Sequence, residues 1–256
     1  MSRNRINVYL VCGGKYHDID FARVELLKLL QEHEQVRVRV GEDYRDQEAI
    51  SGADCLITYT CDVIPSEAEQ QTLKRFLESG KRWFALHGTN SILKFLSMDP
   101  LMVSAPREAP LLMEMLGSQF LAHPPVGRFD VHVSDPDHPL VQGIEPFETE
   151  DEIYLSEYHG ENHALLHCYF QGKVDGFEAH EWASTDPHLV FYLHPYAAGE
   201  VLYLTLGHCR GRYDMLPLME TYPRVERCSW ELPVYYELLR RGIRWAAHLE
   251  EEGVNP

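Results

Sequence analysis

Lys81-Arg82-Trp83-Phe84-Ala85-Leu86-His87-Gly88-Thr89 is the stretch on which the fold of this chain turns. Lys81 to Leu86 ends in an apolar run, the pattern of a strand covered on both faces rather than one with a wet side. His87-Gly88 breaks the run sharply, and Asn90 to Leu96 reads as the start of a helix. Strand, sharp turn and helix form the layout of an elbow that lifts one side chain above the edge of a sheet. Here that side chain is an imidazole. A helix N-terminus disfavours imidazolium, so a neutral His87 is expected, as metal ligand, hydrogen-bond donor or base.

Toward the N-terminus the rhythm is regular. Ile6 to Cys12 is a continuous apolar run closed by Gly13-Gly14, and Phe21, Val24, Leu27 and Leu30 then recur at helical spacing up to Gln31. Val36 to Val40 alternates as a half-exposed strand does, and Asp54 to Thr60 is a second buried strand. Pro65-Ser66-Glu67 opens a helix to Ser79, which Gly80 ends. Strands alternating with helices predict an α/β fold, a central mostly parallel sheet with helices on both faces. In such sheets ligands sit beyond the carboxyl ends of the strands.

Toward the C-terminus, from about Arg128, short strands separated by Pro, Gly and Asp turns predict a more antiparallel, decorated second half: Phe129 to Val133, Ile153 to Tyr158, Ala164 to Tyr169, Leu189 to Leu193 and Glu200 to Leu206. Pro233 to His248 reads as a closing helix with Val234, Leu238, Ile243 and Trp245 on its buried face, and Glu250-Glu251-Glu252 as a solvated end.

The composition suits one packed domain over residues 1–256: 45% hydrophobic, 25% charged, with no linker-like stretch. Forty acidic against 23 basic residues give a net charge of -17, which would repel a phosphate backbone or an anionic membrane and leaves small neutral ligands or cations as partners. The apolar run after Met-Ser-Arg-Asn-Arg is too short for a signal-peptide core or a membrane span, so a cytoplasmic protein is expected. Six scattered cysteines without a Cys-x-x-Cys pair read as reduced thiols.

Chemistry concentrates in the 14 histidines. His17, His87 and His208 each follow a strand, and a doubly wound sheet would bring all three to one edge. Neutral imidazoles there suit a divalent ion, zinc or manganese, with Asp18 as a further carboxylate. The competing reading for each histidine is a hydrogen-bonded structural group. Gly13-Gly14 is either a tight turn or a close backbone approach to a ligand. Asp151 and Glu152, adjacent before Tyr154, point to opposite faces, so at most one enters a site; either orients a histidine, or both are surface charge.

Taken in order, these segments resemble the ThuA-like (trehalose-utilisation) family. They are Gly13-Gly14-x-x-His17-Asp18, Phe84-Ala85-Leu86-His87-Gly88, His123-Pro124, Asp135-x-x-His138-Pro139, Phe147-x-x-x-Asp151-Glu152-x-Tyr154 and Gly199-Glu200-Val201-x-Tyr203-x-Thr205-Leu206-Gly207-His208. The resemblance covers about residues 6–248. It implies a flavodoxin-like, class I glutamine amidotransferase-like fold with histidine where amidotransferases carry the nucleophilic cysteine. The chain departs from the pattern at Leu189 to His194, where the family commonly has a Trp, and at Cys209 to Trp230. That longer segment is a lid or, through Tyr213, Leu216, Tyr222 and Trp230, a homo-oligomer contact.

The resemblance implies sugar utilisation. The leading expectation is a metal-assisted enzyme acting on a carbohydrate or keto-sugar, with His17, His87 and His208 on the metal. His87, Asp18 and Glu152 are then the catalytic candidates, and Gly13, Gly14, His123 and Asp151 line the substrate. The alternative is a non-catalytic small-ligand-binding or regulatory protein on the same fold. A glutaminase using Cys61 or Cys12 is disfavoured because neither sits at an elbow.

Overall fold

The structure, a computed structural model, describes residues 5–216, 218 and 223–249. The first half runs β1 (Ile6–Gly14), α1 (Ile19–Gln31), β2 (Val36–Gly41), α2 (Gln47–Gly52), β3 (Cys55–Cys61), α3 (Glu67–Glu78) and β4 (Arg82–Leu86). Next come a hairpin, β5 (Lys94–Met98) and β6 (Leu101–Ser104), then α4 (Pro110–Leu116), β7 (Ser118–Ala122), β8 (Gly127–Val133), β9 (Phe147–Asp151) and β10 (Leu155–Tyr158). The rest is β11 (His163–Cys168), β12 (Gly172–Lys173), β13 (Glu181–Trp182), β14 (His188–Tyr196), β15 (Gly199–Leu204) and α5 (Pro233–Ala246).

One nine-stranded sheet, in the order β2-β1-β3-β4-β15-β14-β11-β8-β9, organises the molecule. Its first five strands pair in parallel in the flavodoxin-like order. The remaining four add antiparallel, as the turn-rich second half predicts. β1 shows why the inner strands read as unbroken apolar runs. Val8, Leu10 and Cys12 face a core shared with α1 and α5, while Tyr9 and Val11 face one shared with α2, α3 and α4. Helices thus cover both faces of the parallel half.

Local signals mark the helix starts. Asp18 caps α1 by accepting the Phe21 amide at 3.1 Å, and Ser66 with Glu69 forms a capping box on α3. Pro110 stands in the first turn of α4, and Gly117 ends it at φ 71°. This seven-residue helix and six-residue α2 are too short for periodicity to reveal.

Two expectations need correction. Asn90 to Leu96 is not a helix: His87–Asn90 form a single 3-10 turn, and the chain then enters β5. Asp62 enforces this by giving its amide to the Ser91 carbonyl and accepting the Leu93 amide on its carboxylate, which pins the segment to the end of β3. On α5, the buried stripe is Tyr235, Leu238, Leu239, Gly242, Ile243 and Ala246. Val234 and Trp245 are only half-buried, and Arg82 stacks on the Trp245 ring. Glu250-Glu251-Glu252 lies outside the described residues. No helix among the described residues is long and apolar enough to cross a membrane.

Candidate metal centre

The carboxyl ends of β1, β4 and β15 carry His17, His87 and His208 to one point. His87 directly follows β4 at φ 43°, a conformation seldom held by a residue with a side chain, which turns its ring up over the sheet edge. The turn closes only because Gly88 follows: a Cβ there would lie 2.6 Å from the Thr60 carbonyl oxygen and 2.8 Å from Cys61 Cβ. Glu152, between β9 and β10, enters from the antiparallel half. All four side chains are buried, and one donor atom from each lies within 4.8 Å of all the others.

The outer edges of the three rings determine what the inner edges can do. His17 Nδ1 is 3.1 Å from the Lys15 carbonyl and His87 Nδ1 is 2.8 Å from the Thr205 carbonyl. A carbonyl oxygen only accepts, so both Nδ1 atoms carry the hydrogen and both Nε2 atoms are bare. Those two lone pairs face each other at 2.8 Å. His208 uses the opposite nitrogen: Nε2 donates to Glu226 at 2.9 Å, leaving Nδ1 turned inward. That Nδ1 lies 3.2 Å from Glu152 Oε1 but off the line that a hydrogen bond needs.

Titration follows from these surroundings. Burial, reinforced by neighbouring imidazoles, holds His17 well below its ordinary value, and burial lowers His87 to about 4. Burial also opposes charge on His208, but Glu152 and Glu226 outweigh it and raise the ring to about 9. Glu152 is pushed up by burial and carried well below its ordinary value by His123, His208 and His87. Without a metal, the centre holds two neutral imidazoles and one imidazolium between two carboxylates. The neutral His87 therefore rests on burial and not on the dipole of an α-helix, since only the four-residue 3-10 turn starts there.

Beside the centre opens a cavity of about 280 Å³. Its polar end carries His17, Glu152, His123, Tyr154 and Arg210; aromatic walls come from Tyr16, Phe95, Phe120 and Phe177. The Tyr154 hydroxyl donates to His87 Nε2 at 3.2 Å. His123 gives Nδ1–H to the Pro124 carbonyl at 2.8 Å and turns Nε2 toward Glu152, 3.7 Å away. Among the described residues that line the cavity, none comes from β14.

Of the sequence candidates, His17, His87, His208, Glu152 and His123 come together here, and four others do not. Asp18 spends one carboxylate oxygen on the α1 cap and the other on Arg227 at 2.9 Å, away from the histidines. Asp151 faces the other way from its neighbour, as strand alternation requires. It accepts the amides of Glu152, Gly207, His208 and Ser229, tying the loop after β15 to the end of β9. Gly13 and Gly14 are set by close packing: a Cβ would lie 2.0 Å from the Glu42 carbonyl oxygen and 1.9 Å from that of Cys61.

Glu226, Arg210 and Tyr154 carry weight that the motifs did not assign. Arg210 and Glu226 exchange backbone hydrogen bonds and a side-chain ion pair at 2.9 Å, closing the base of the segment after His208. From that segment Met215 and Leu218 reach the cavity wall, while Tyr213 and Leu216 are exposed and Tyr222 lies outside the described residues. Trp230 is no contact surface: it is buried against Phe21, Tyr59 and Tyr235, and donates to the Gly207 carbonyl at 2.8 Å. All six cysteines are unpaired, with burial raising Cys12 to about 12 and Cys61 well above its ordinary value.

Known proteins share this architecture. A ThuA-like protein from Parabacteroides merdae superposes with a TM-score of 0.70 at 15% identity, over 99% of this chain and 94% of that one. One from Bacteroides uniformis gives 0.65 at 14%, over 96% and 93%. A β-galactosidase from Rahnella sp. R3 gives 0.53 at 15%, covering 80% of this chain but 29% of its own. At such identities the likeness concerns the fold. No curated protein matches the chain. Residues 7–221 match the model of the ThuA family, described as trehalose utilisation, and the chain belongs to that family.

Proposed function

We propose that this chain is a metal-dependent enzyme of carbohydrate or keto-sugar metabolism, without glutaminase activity. Its ligands to a divalent ion, zinc or manganese, are His17 Nε2, His87 Nε2, His208 Nδ1 and a Glu152 oxygen. One observation carries the reading: two buried Nε2 lone pairs face each other at 2.8 Å, with both ring hydrogens committed elsewhere. Such a pair repels unless a cation or proton lies between, and a ring anchored through its outer N–H is how metal-ligating histidines are held. Three imidazoles and a carboxylate suit zinc, and the carboxylate also admits manganese.

A bound ion would supply a Lewis acid for a carbonyl or hydroxyl oxygen. The chain does the rest. His123, with Nδ1 anchored on the Pro124 carbonyl and Nε2 turned toward Glu152 at the polar end of the cavity, takes the proton that the substrate gives up. The Tyr154 hydroxyl, which loses its acceptor once His87 Nε2 is a ligand, donates to a substrate oxygen. Phe120 and Phe177 offer apolar faces to the C–H side of a sugar ring and exclude water. Asp18 receives no role, because its carboxylate is committed to the α1 cap and Arg227. An imidazole at the elbow and thiols held protonated by burial argue against glutamine hydrolysis. The sugar class draws on the family's association with trehalose utilisation.

Elemental analysis of the purified protein, before and after incubation with zinc or manganese, tests the reading. About one equivalent is expected in the wild type, with loss in His87→Ala and His208→Ala at matched circular dichroism. Absence of metal in the wild type under both conditions refutes it. Metal and sugar bound without turnover over hours would instead favour a binding protein.

A further inference from the structure

The three inward-facing histidines are not held alike. His17 and His87 rest on backbone carbonyls, which the fold itself positions. His208 rests on a side chain, that of Glu226, 18 residues further along. His208 lies in irregular chain beyond β15, and its ring is fully buried. Its tautomer has no backbone acceptor to set it. The hydrogen bond from Nε2 to Glu226 Oε2 at 2.9 Å keeps the hydrogen on the outer nitrogen and turns Nδ1 toward Glu152.

Glu226 is itself fixed from three sides. Its backbone N–H and C=O pair with those of Arg210 at 2.9 and 3.0 Å, and its carboxylate meets Arg210 Nη1 at 2.9 Å. Two residues on, the chain enters the 3-10 turn Cys228–Glu231, which is anchored by Ser229 donating its amide to Asp151 and by buried Trp230. A carboxylate held this firmly against the outer nitrogen of a ligand histidine fixes ring orientation and increases the basicity of the inner nitrogen.

We propose that Glu226 is a positioning residue of the metal centre, which holds His208 in the tautomer and orientation that present Nδ1 as a ligand. The inference rests on the metal reading above. It assigns a role to a residue outside the ligand set, and it ties the affinity of the centre to the Arg210–Glu226 pairing at the base of the segment from which Met215 and Leu218 reach the cavity wall.

The test is a double-mutant cycle on zinc affinity, measured by chelator competition on the full chain with zinc alone as probe. Glu226→Ala should weaken zinc binding about 10–100-fold, and Glu226→Gln, which keeps an acceptor oxygen, should weaken it less. His208→Ala weakens binding on its own account, and adding Glu226→Ala to it should then change nothing further. A loss that persists in the His208→Ala background would show Glu226 acting through general packing, and would overturn the proposal. So would Glu226→Ala binding zinc as tightly as the wild type. Circular dichroism and urea midpoints of each variant separate misfolding from weakened binding, and Glu226→Gln serves if the alanine variant unfolds. A wild type that binds no zinc refutes the metal reading itself, an outcome distinct from a wild type that binds while its Glu226 variants are unaffected.

Discussion

Zinc binding to the metal-free protein should release close to one proton at pH 7, and that proton comes from His208. The inward nitrogens of His17 and His87 are already bare, since burial holds His87 at about 4 and His17 well below its ordinary value. His208 lies at about 9, so at neutral pH its Nδ1 is protonated and must lose that proton to become a ligand. Below about 9 the proton competes with the metal, and above it there is nothing to displace. Apparent affinity should therefore rise about tenfold per pH unit from pH 7 toward that value, about 1.4 kcal/mol per unit, and then level off. Titration calorimetry with chelator-buffered zinc, repeated in buffers of different ionisation enthalpy, gives the proton count as the slope of apparent enthalpy against buffer enthalpy. A slope of zero at pH 7 would refute this reasoning, because His208 would then either be neutral in the metal-free protein or not be a ligand. A slope of two would mean that one of His17 and His87 is charged in the metal-free protein, and a slope of three that both are, contrary to their burial.

Stability of the chelated protein should fall on both sides of neutrality. His87, depressed from 6.5 to about 4, contributes stability that is present above 6.5 and lost as pH falls toward 4. His208, raised from 6.5 to about 9, contributes stability that is present below 6.5 and lost as pH rises through 9. Urea midpoints across this range check both arms, and a flat alkaline arm would contradict the second. Asp151→Asn removes a charged acceptor from four backbone amides and should destabilise by about 1.5–3 kcal/mol or more in urea unfolding, with weaker zinc binding because Glu152 and His208 both hang on it. Gly88→Ala should cost about 1–3 kcal/mol in the same assay, since its Cβ would meet the Thr60 backbone; an unchanged midpoint would show that the β4 elbow can relax. Tyr154→Phe should keep full zinc stoichiometry while turnover drops about 10²–10⁴-fold, and loss of metal instead would make Tyr154 part of the ligand support.

Strand positions were legible because inner strands of a covered parallel sheet must be apolar on both faces, and β1, β3 and β4 are. Elements whose signal is not periodic were not. β5 follows the elbow because Asp62, on a neighbouring loop, captures the amide of Leu93, a constraint no local pattern contains. α4 is only two turns long. Asp18 shows a signal present but misassigned. Its place beside His17 suggested chemistry, yet an aspartate immediately before a helix is first an N-cap, and the structure uses it so.

The convergence of His17, His87 and His208 was readable because topology brings every carboxyl end of a parallel half-sheet to one edge. Which nitrogen His87 and His208 present was not, since that depends on partners distant in sequence, whereas His17 takes its orientation from Lys15, two residues away. His87 donates to Thr205 because β4 and β15 pair in a register that sets Leu86 against Leu204, so the next carbonyl of the neighbouring chain falls beside the ring. His208 depends on Glu226, 18 residues further along the chain. The sheet register that completes the core therefore prepares the bare nitrogen of His87, the nearby Lys15 carbonyl prepares that of His17, and a loop carboxylate prepares the third. A site of this kind is specified less by its ligands than by the acceptors behind them, where loss of one carboxylate should be felt as strongly as loss of a contact to the metal.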